Sequence, residues 1–430
     1  MIHSLPTRTR RAFLTDAFCG MGSLAFGAML HAEGRNPLAV KQPVLPAKAK
    51  SVIFLFMAGG PSQMETFDPK PLLNKLDGQP LPPSFTPAKR QFINGTPKLL
   101  GSKRTFRQYG QSGLWVSDLL PHLAHCVDDM AVIRSCQADA FIHSSAQYQM
   151  FTGRILPGFP AMGAWAVYGL GSESDSLPGY VVMPDPYGTI EAGQPVYSNA
   201  FLPAVYQPNV FRGGPKPVLN LELPEGVTLD QRRRTLGFLR EIDEATMAAE
   251  DDELSARLST YDLAFRMQTE APAVFDLSNE PAHIKKRYGM DHAVTEDFGR
   301  RCLMARRLVE KGVRFVTIVS GGPAISQWDA HDDIEENHLR MAARVDQPMA
   351  ALLQDLKQRG LLDSTLVVWG GEFGRTPEAQ AGKGRDHNNT GFTMWMAGGG
   401  VKGGLTEGAT DDLGLYAIDK PHHVRDIHTT

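Results

Sequence analysis

The chain has 430 residues, 42 % hydrophobic and 21 % charged, a composition that excludes wholesale disorder and allows up to about three domains. Its 44 basic and 47 acidic side chains leave a net charge of −3, so no basic field exists to attract nucleic acid. There is no run of about 18 apolar residues, which argues against a membrane span, and four cysteines do not make a disulfide scaffold in a chain this long.

At the N-terminus, Thr9 to Leu14 contains the pair Arg10-Arg11 ahead of Phe13-Leu14, and a mildly apolar, glycine-rich stretch follows from Ala17 to Leu30. This resembles a twin-arginine export signal, which implies passage of the folded chain through the twin-arginine machinery, a periplasmic or secreted location, and cleavage near Ala32. The alternative is a chance arginine pair before an ordinary helix. Residues 1–32 are thus expected to be a signal peptide and 33–50 a polar, proline-containing linker. Cys19 would leave with the leader. A Cys126–Cys136 bridge is permitted in an oxidising compartment, but three remaining thiols leave one over, and three buried free cysteines are favoured.

Ser51 to Met57 is a continuous apolar run ending in Gly59-Gly60, the pattern of a strand buried on both faces of a parallel sheet. Residues 69–112, rich in Pro, Lys, Gly and Ser, are expected to form an extended surface excursion. Further buried strands are expected at 130–133, 180–183, 314–319, 365–369 and 393–396. Residues 226–270 predict one or two long polar helices starting near Thr228, within an insertion reaching about residue 290, and Arg232 to Arg234 fit a solvated helix face. Helical spacing also marks 297–311 and 346–359. Alternation of helix and buried strand predicts one elaborated α/β domain over 51–430, with a mostly parallel central sheet and helices on both faces.

In such sheets ligands gather beyond the carboxyl ends of the strands. Asp329 and His331 follow the strand at 314–319, Glu372 follows the strand at 365–369, and Asp386-His387 precedes the strand at 393–396. Asp329, His331, Glu372 and His387 are therefore candidate ligands for one or two divalent ions, with zinc or manganese favoured over calcium or magnesium. Taken singly, each has an ordinary alternative: turn residues, a first-turn acid near a helix dipole, or an ion-paired loop. At the first strand's exit, Ser62 and Glu65 have the spacing of a capping box, Gly59 and Gly60 leave backbone N–H groups open to an anion, and Asp68 is a further candidate ligand. Arg375 and Arg154 are candidate anion partners, because guanidinium forks match phosphate and sulfate; Arg154 reads equally well as a structural pin.

These segments resemble the alkaline phosphatase superfamily, which includes sulfatases and phosphodiesterases. Thr365 to Gly374 is similar to its late strand ending in Asp-His-Gly, with Glu372 and Phe373 in the acid and histidine positions. His143 to Arg154 keeps the Thr-Gly-Arg ending of the sulfatase segment, with His143 in the nucleophile position. The chain more closely resembles an uncharacterised, exported branch of that superfamily, through Gly59 to Ser62, Thr66 to Pro71, Thr152 to Arg154, Ala305 to Glu310, Trp328 to His331, Glu372 to Pro377, Gly384 to His387 and Ala397 to Gly400. The resemblance implies an alkaline phosphatase/sulfatase-like fold and hydrolysis of a small or polymeric phosphate or sulfate ester, with His143 as nucleophile, general acid or further metal ligand. The departures are Gly59 where the superfamily delivers a metal-binding Asp, Phe373 in place of a ligand, and no cysteine in a formylglycine context. They support a second expectation, a non-catalytic binding protein on a degenerate scaffold. The end at Val424 to Thr430 also suggests that the last C-terminal elements of the fold are missing.

Overall fold

The computed structural model describes residues 37–429 except 44, 87–90, 94, 215, 220, 247–251 and 323–326. The chain divides into Met1–Ala39 and Val40–Thr430, and the central sheet with its helices belongs to the second unit. The leader features, including Arg10, Arg11, Cys19 and Ala32, lie outside the described residues.

The strands in chain order are β1 (Ser51–Met57), the hairpin β2 (Phe106–Tyr109) and β3 (Leu114–Ser117), β4 (Met130–Gln137), β5 (Tyr180–Met183), β6 (Asn209–Val210), β7 (Phe315–Ser320), β8 (Thr365–Gly370), the hairpin β9 (Gly374–Gln380) and β10 (Gly384–Asn388), β11 (Phe392–Gly398) and β12 (Leu405–Glu407). A nine-stranded sheet runs β12-β4-β11-β8-β1-β7-β5-β6, with His422–His423 added beside β4. β1 pairs in parallel with both β7 and β8, whereas β11 is antiparallel to β4 and β8. The sheet is mixed α/β and mostly parallel about its centre.

Both faces of the sheet are covered, which is why β1 reads as an unbroken apolar run. Alternate residues Ile53, Leu55 and Met57 join the core shared with helices α5 (Glu296–Glu310) and α6 (Ile334–Gln358). Phe54 and Phe56 point the other way, onto Phe151 of helix α1 (His143–Thr152), with ring centroids 5.4 and 4.8 Å apart. Helix α2 (Met162–Leu170) packs on β5 and β7, and α3 (Leu229–Thr246) and α4 (Asp252–Phe275) occupy the expected polar helical region. α3 opens on a reciprocal pair: Gln231 N–H donates to Thr228 Oγ1 and Thr228 N–H donates to Gln231 Oε1.

Several expectations need correction. α6 starts at Ile334 rather than 346, because the Asp333 carboxylate accepts from the N–H groups of Glu335 and Glu336 and sets the start, while Pro348 sits inside the helix. The Ser62–Glu65 capping box is not made; Ser62 Oγ instead donates to the Glu65 side chain, which also holds buried Arg385 at 2.9 Å. The 69–112 excursion is partly anchored, since Leu73 and Leu99 pack with Met64 and Leu413 in a second small core. Asp68 is engaged by Thr410 and Lys70. Cys126, Cys136 and Cys302 are free and buried, and burial pushes the Cys126 and Cys136 thiols up to about 11 and about 12. No described helix is long and apolar enough to cross a membrane.

Candidate functional site

After β7 the chain returns at Gln327 and hangs between β1 and β10. Trp328 N–H donates to Ala58 O at 2.9 Å, and Arg385 N–H donates to Ala330 O at 2.9 Å. Two glycines make this close approach possible. A Cβ on Gly384 would stand 1.7 Å from His331 O. A Cβ on Gly59, whose φ is +101°, would stand 2.5 Å from Asp329 N. The position where the resemblance would place an aspartate is therefore closed to any side chain.

The result is a cluster of His143, Asp329, His331 and His387, one ligand atom from each lying within 4.8 Å of all the others. His331 Nε2 and His387 Nε2 are 2.9 and 3.3 Å from Asp329 Oδ1, and His143 Nε2 is 3.3 Å from Asp329 Oδ2. Each imidazole is oriented from behind by an oxygen on its other nitrogen. His143 Nδ1 donates to Glu372 Oε1 at 2.7 Å, His331 Nδ1 to Gln380 Oε1 at 2.5 Å, and His387 Nδ1 to Phe141 O at 2.7 Å. With those protons committed, the Nε2 atom of each ring carries a lone pair when that ring is neutral, and at His143 a metal ion would take the place of the Nε2 proton that Asp329 and Glu372 favour. The Nε2 atoms of His331 and His387 face each other at 3.0 Å, and buried His143 Nε2 makes no hydrogen bond. Lone pairs turned on one another need a cation or a proton between them. Tetrahedral zinc with ligands at about 2.0–2.1 Å sets its donors roughly 3.3 Å apart, so the donor set and spacing fit a divalent ion.

Charge is concentrated here. Burial would raise the Asp329 carboxyl, but the Arg375 guanidinium and the three imidazoles hold it well below the usual carboxylate range. Burial works against charge on His143, yet Asp329 and Glu372 outweigh it and carry the imidazole up to about 9. Burial dominates at His387, which is lowered to about 4, with the Arg375 charge adding to the effect. Phe373 packs against His387 and His143 at centroid distances of 4.4 and 4.9 Å, giving the imidazoles an apolar backing.

The structure sorts the sequence candidates. Asp329, His331 and His387 meet, and His143 joins them. Glu372 stands at the same edge but behind His143: its Oε1 accepts from His143, from Gly59 N–H at 3.0 Å and from Gln147 Nε2 at 3.0 Å, so it holds the cluster from outside. Arg375 is fully buried; Nε donates to Gly60 O, Nη1 to Arg385 O, and Nη2 to Gly59 O and Asp329. It clamps the aspartate rather than facing a substrate. Arg154 is exposed beyond the opposite end of α1 from His143, with its guanidinium over the Phe159 ring at 5.5 Å.

Sequence reasoning missed several participants. Gln147 lies one helical turn after His143 on α1, an i, i+4 relation that could have marked it. Its Oε1 accepts from Ala192 N–H at 2.9 Å, tying the loop after β5 to Glu372. On that loop burial lifts the Glu191 carboxyl; His143 pulls it down, and Glu372 and Asp329 lift it further. Gln380 and the Phe141 carbonyl carry no comparable signal. Asp386 adjoins His387 in the sequence but is not in the cluster: its Oδ1 accepts from His387 N–H at 2.8 Å, and its Oδ2 from the backbone of Gln91, Phe92 and Ile93.

Fold and site together define an α/β protein with a three-histidine, one-aspartate cluster at the carboxyl edge of its central sheet. Residues 49–430 match a family described as protein of unknown function (DUF1501), and the chain belongs to that family. No curated protein matches it. Solved structures similar to this chain include the lipoteichoic acid synthase LtaP from Listeria monocytogenes, at 10 % identity over 86 % of this chain and 72 % of that one, TM-score 0.35. Others are the alkaline phosphatase of the Antarctic bacterium TAB5, at 10 % identity over 84 % and 95 %, TM-score 0.31, and the PsFucS1 sulfatase from Pseudoalteromonas sp., at 11 % identity over 85 % and 66 %, TM-score 0.33.

Proposed function

We propose that the chain is an exported hydrolase of phosphate or sulfate esters that works with one divalent ion, zinc or manganese, held by His143, Asp329, His331 and His387. The observation that carries this reading is the convergence of three imidazole Nε2 atoms on one carboxylate, each ring oriented through Nδ1 by an oxygen. When bound, the ion would supply Lewis acidity to the ester and lower the pKa of the attacking water, which requires it to accept a further donor beyond the four protein ligands. Glu372 sets the tautomer of His143, Arg375 fixes the carboxylate plane of Asp329, and Phe373 keeps water from the back of the imidazoles. This use of His143 is the ligand alternative among its three expected roles. It leaves protonation of the leaving oxygen to Glu191, exposed next to Ala192, whose N–H ties this loop to Gln147 beside the cluster. Elemental analysis of purified protein tests the reading: one stoichiometric divalent ion supports it, and metal-free protein that cannot be loaded sinks it.

Two further outcomes are expected. Glu191→Gln lowers kcat for an ester by about 10²-fold while bound metal stays at one equivalent; unchanged kcat removes Glu191 from the proton path. Replacing both Arg10 and Arg11 with Lys leaves precursor in the cytoplasm, as read by fractionation and blotting. Normal export of that variant excludes the twin-arginine route.

A further inference from the structure

The short segment Gln91 to Ile93 is held over the site by charge. Three consecutive backbone N–H groups converge on Asp386 Oδ2, at 2.9, 2.8 and 3.3 Å, and the same carboxylate is bonded through Oδ1 to the backbone of His387. Asp386 itself is fully buried. This anchoring places the Phe92 ring edge-on to His331 at 4.8 Å and to His387 at 5.8 Å, with interplanar angles of 82° and 84°. Phe92 nonetheless keeps 47 % of its surface exposed. A phenyl ring in T-shaped contact with two cluster imidazoles that keeps half its surface in solvent is available to a molecule bound beside it. It flanks His331 and His387, whereas Phe373 packs on His387 and His143 and is buried.

We propose that Phe92 is a specificity-determining residue whose exposed face receives the leaving group of the ester, selecting leaving groups that carry an aromatic ring. The inference rests on reading the cluster as an ester-cleaving metal site and deepens it by naming a substrate class. An anionic ester bound at an ion on the His331 and His387 side of the cluster would have its leaving group within reach of Phe92. Offset or edge-to-face contact between two rings then favours an aromatic leaving group over an aliphatic one by about threefold to tenfold. The anchor at Asp386 holds the segment in place before substrate arrives, so the contact needs little ordering on binding.

The test uses non-hydrolysable probes and reads binding, so it does not depend on turnover. Zinc-loaded protein is titrated by calorimetry with phenylphosphonate and with methylphosphonate, after its zinc content has been measured. The expected result is phenylphosphonate binding about three to ten times more tightly, a ratio that falls to within about twofold in Phe92→Ala and is retained in Phe92→Tyr. Equal affinities in the unaltered protein, or a preference that survives in Phe92→Ala, overturns the role of Phe92 and leaves the ester site standing. Failure of both phosphonates to bind the zinc-loaded protein overturns the ester site itself, and the Phe92 proposal with it.

Discussion

Protein carrying His387→Ala is expected to retain no stoichiometric metal, and its ester hydrolysis is expected to drop to the buffer background. The substitution removes one of four converging donors and leaves the Nε2 lone pair of His331 facing a gap. An ion present at about 1,000 times its Kd stabilises the folded chain by about 4 kcal/mol, so chelation lowers the Tm of the unaltered protein and leaves that of the variant unmoved. Glu372→Gln separates a ligand from its support. Because Glu372 touches the cluster only through His143, the variant is expected to bind metal about 10- to 100-fold more weakly but still to saturate at one equivalent. A His387→Ala variant that still titrates to one equivalent with unchanged affinity would remove the four-residue site.

The second large effect is expected at Arg375. Its guanidinium is fully buried and joins the carbonyls of Gly59, Gly60 and Arg385 to the Asp329 carboxylate. Arg375→Met leaves the three buried carbonyls without that donor and Asp329 with only the imidazoles as partners, a loss of about 3–5 kcal/mol on breaking such a pair from one side. Denaturant melts of the metal-free protein read that loss directly. A residue that only contacted substrate would change KM and leave the melt where it was. Arg154→Ala is the matched control: exposed and stacked on Phe159, it is expected to stay within about 0.5 kcal/mol.

Much of the architecture was legible because burial on both faces of a central strand leaves a plain mark. β1, β5, β7, β8 and β11 all lie within a few residues of their apolar runs, and the acids and histidines expected beyond those strands do meet at one sheet edge. The illegible part depends on approach between distant segments. Nothing local says that Glu372 turns inward to His143, 229 residues away, instead of outward to an ion. Arginine spacing cannot distinguish Arg375, consumed by backbone carbonyls, from an arginine facing solvent. The oxygen behind His387 belongs to the backbone of Phe141, and a carbonyl has no sequence signature. The start of α6 was missed for a local reason: one carboxylate, Asp333, outweighed the weaker periodicity of the first three turns.

The cluster draws on α1, on the segment after β7 and on β10, three stretches far apart in sequence that the central sheet brings together. Bringing stretches so far apart in sequence together carries a loop-closure entropy cost that the packed sheet offsets. At that edge the Arg375 guanidinium already neutralises Asp329. On the proposed reading an ion would meet all four donors only where these three stretches are already together, so its affinity would report on the integrity of the whole sheet edge.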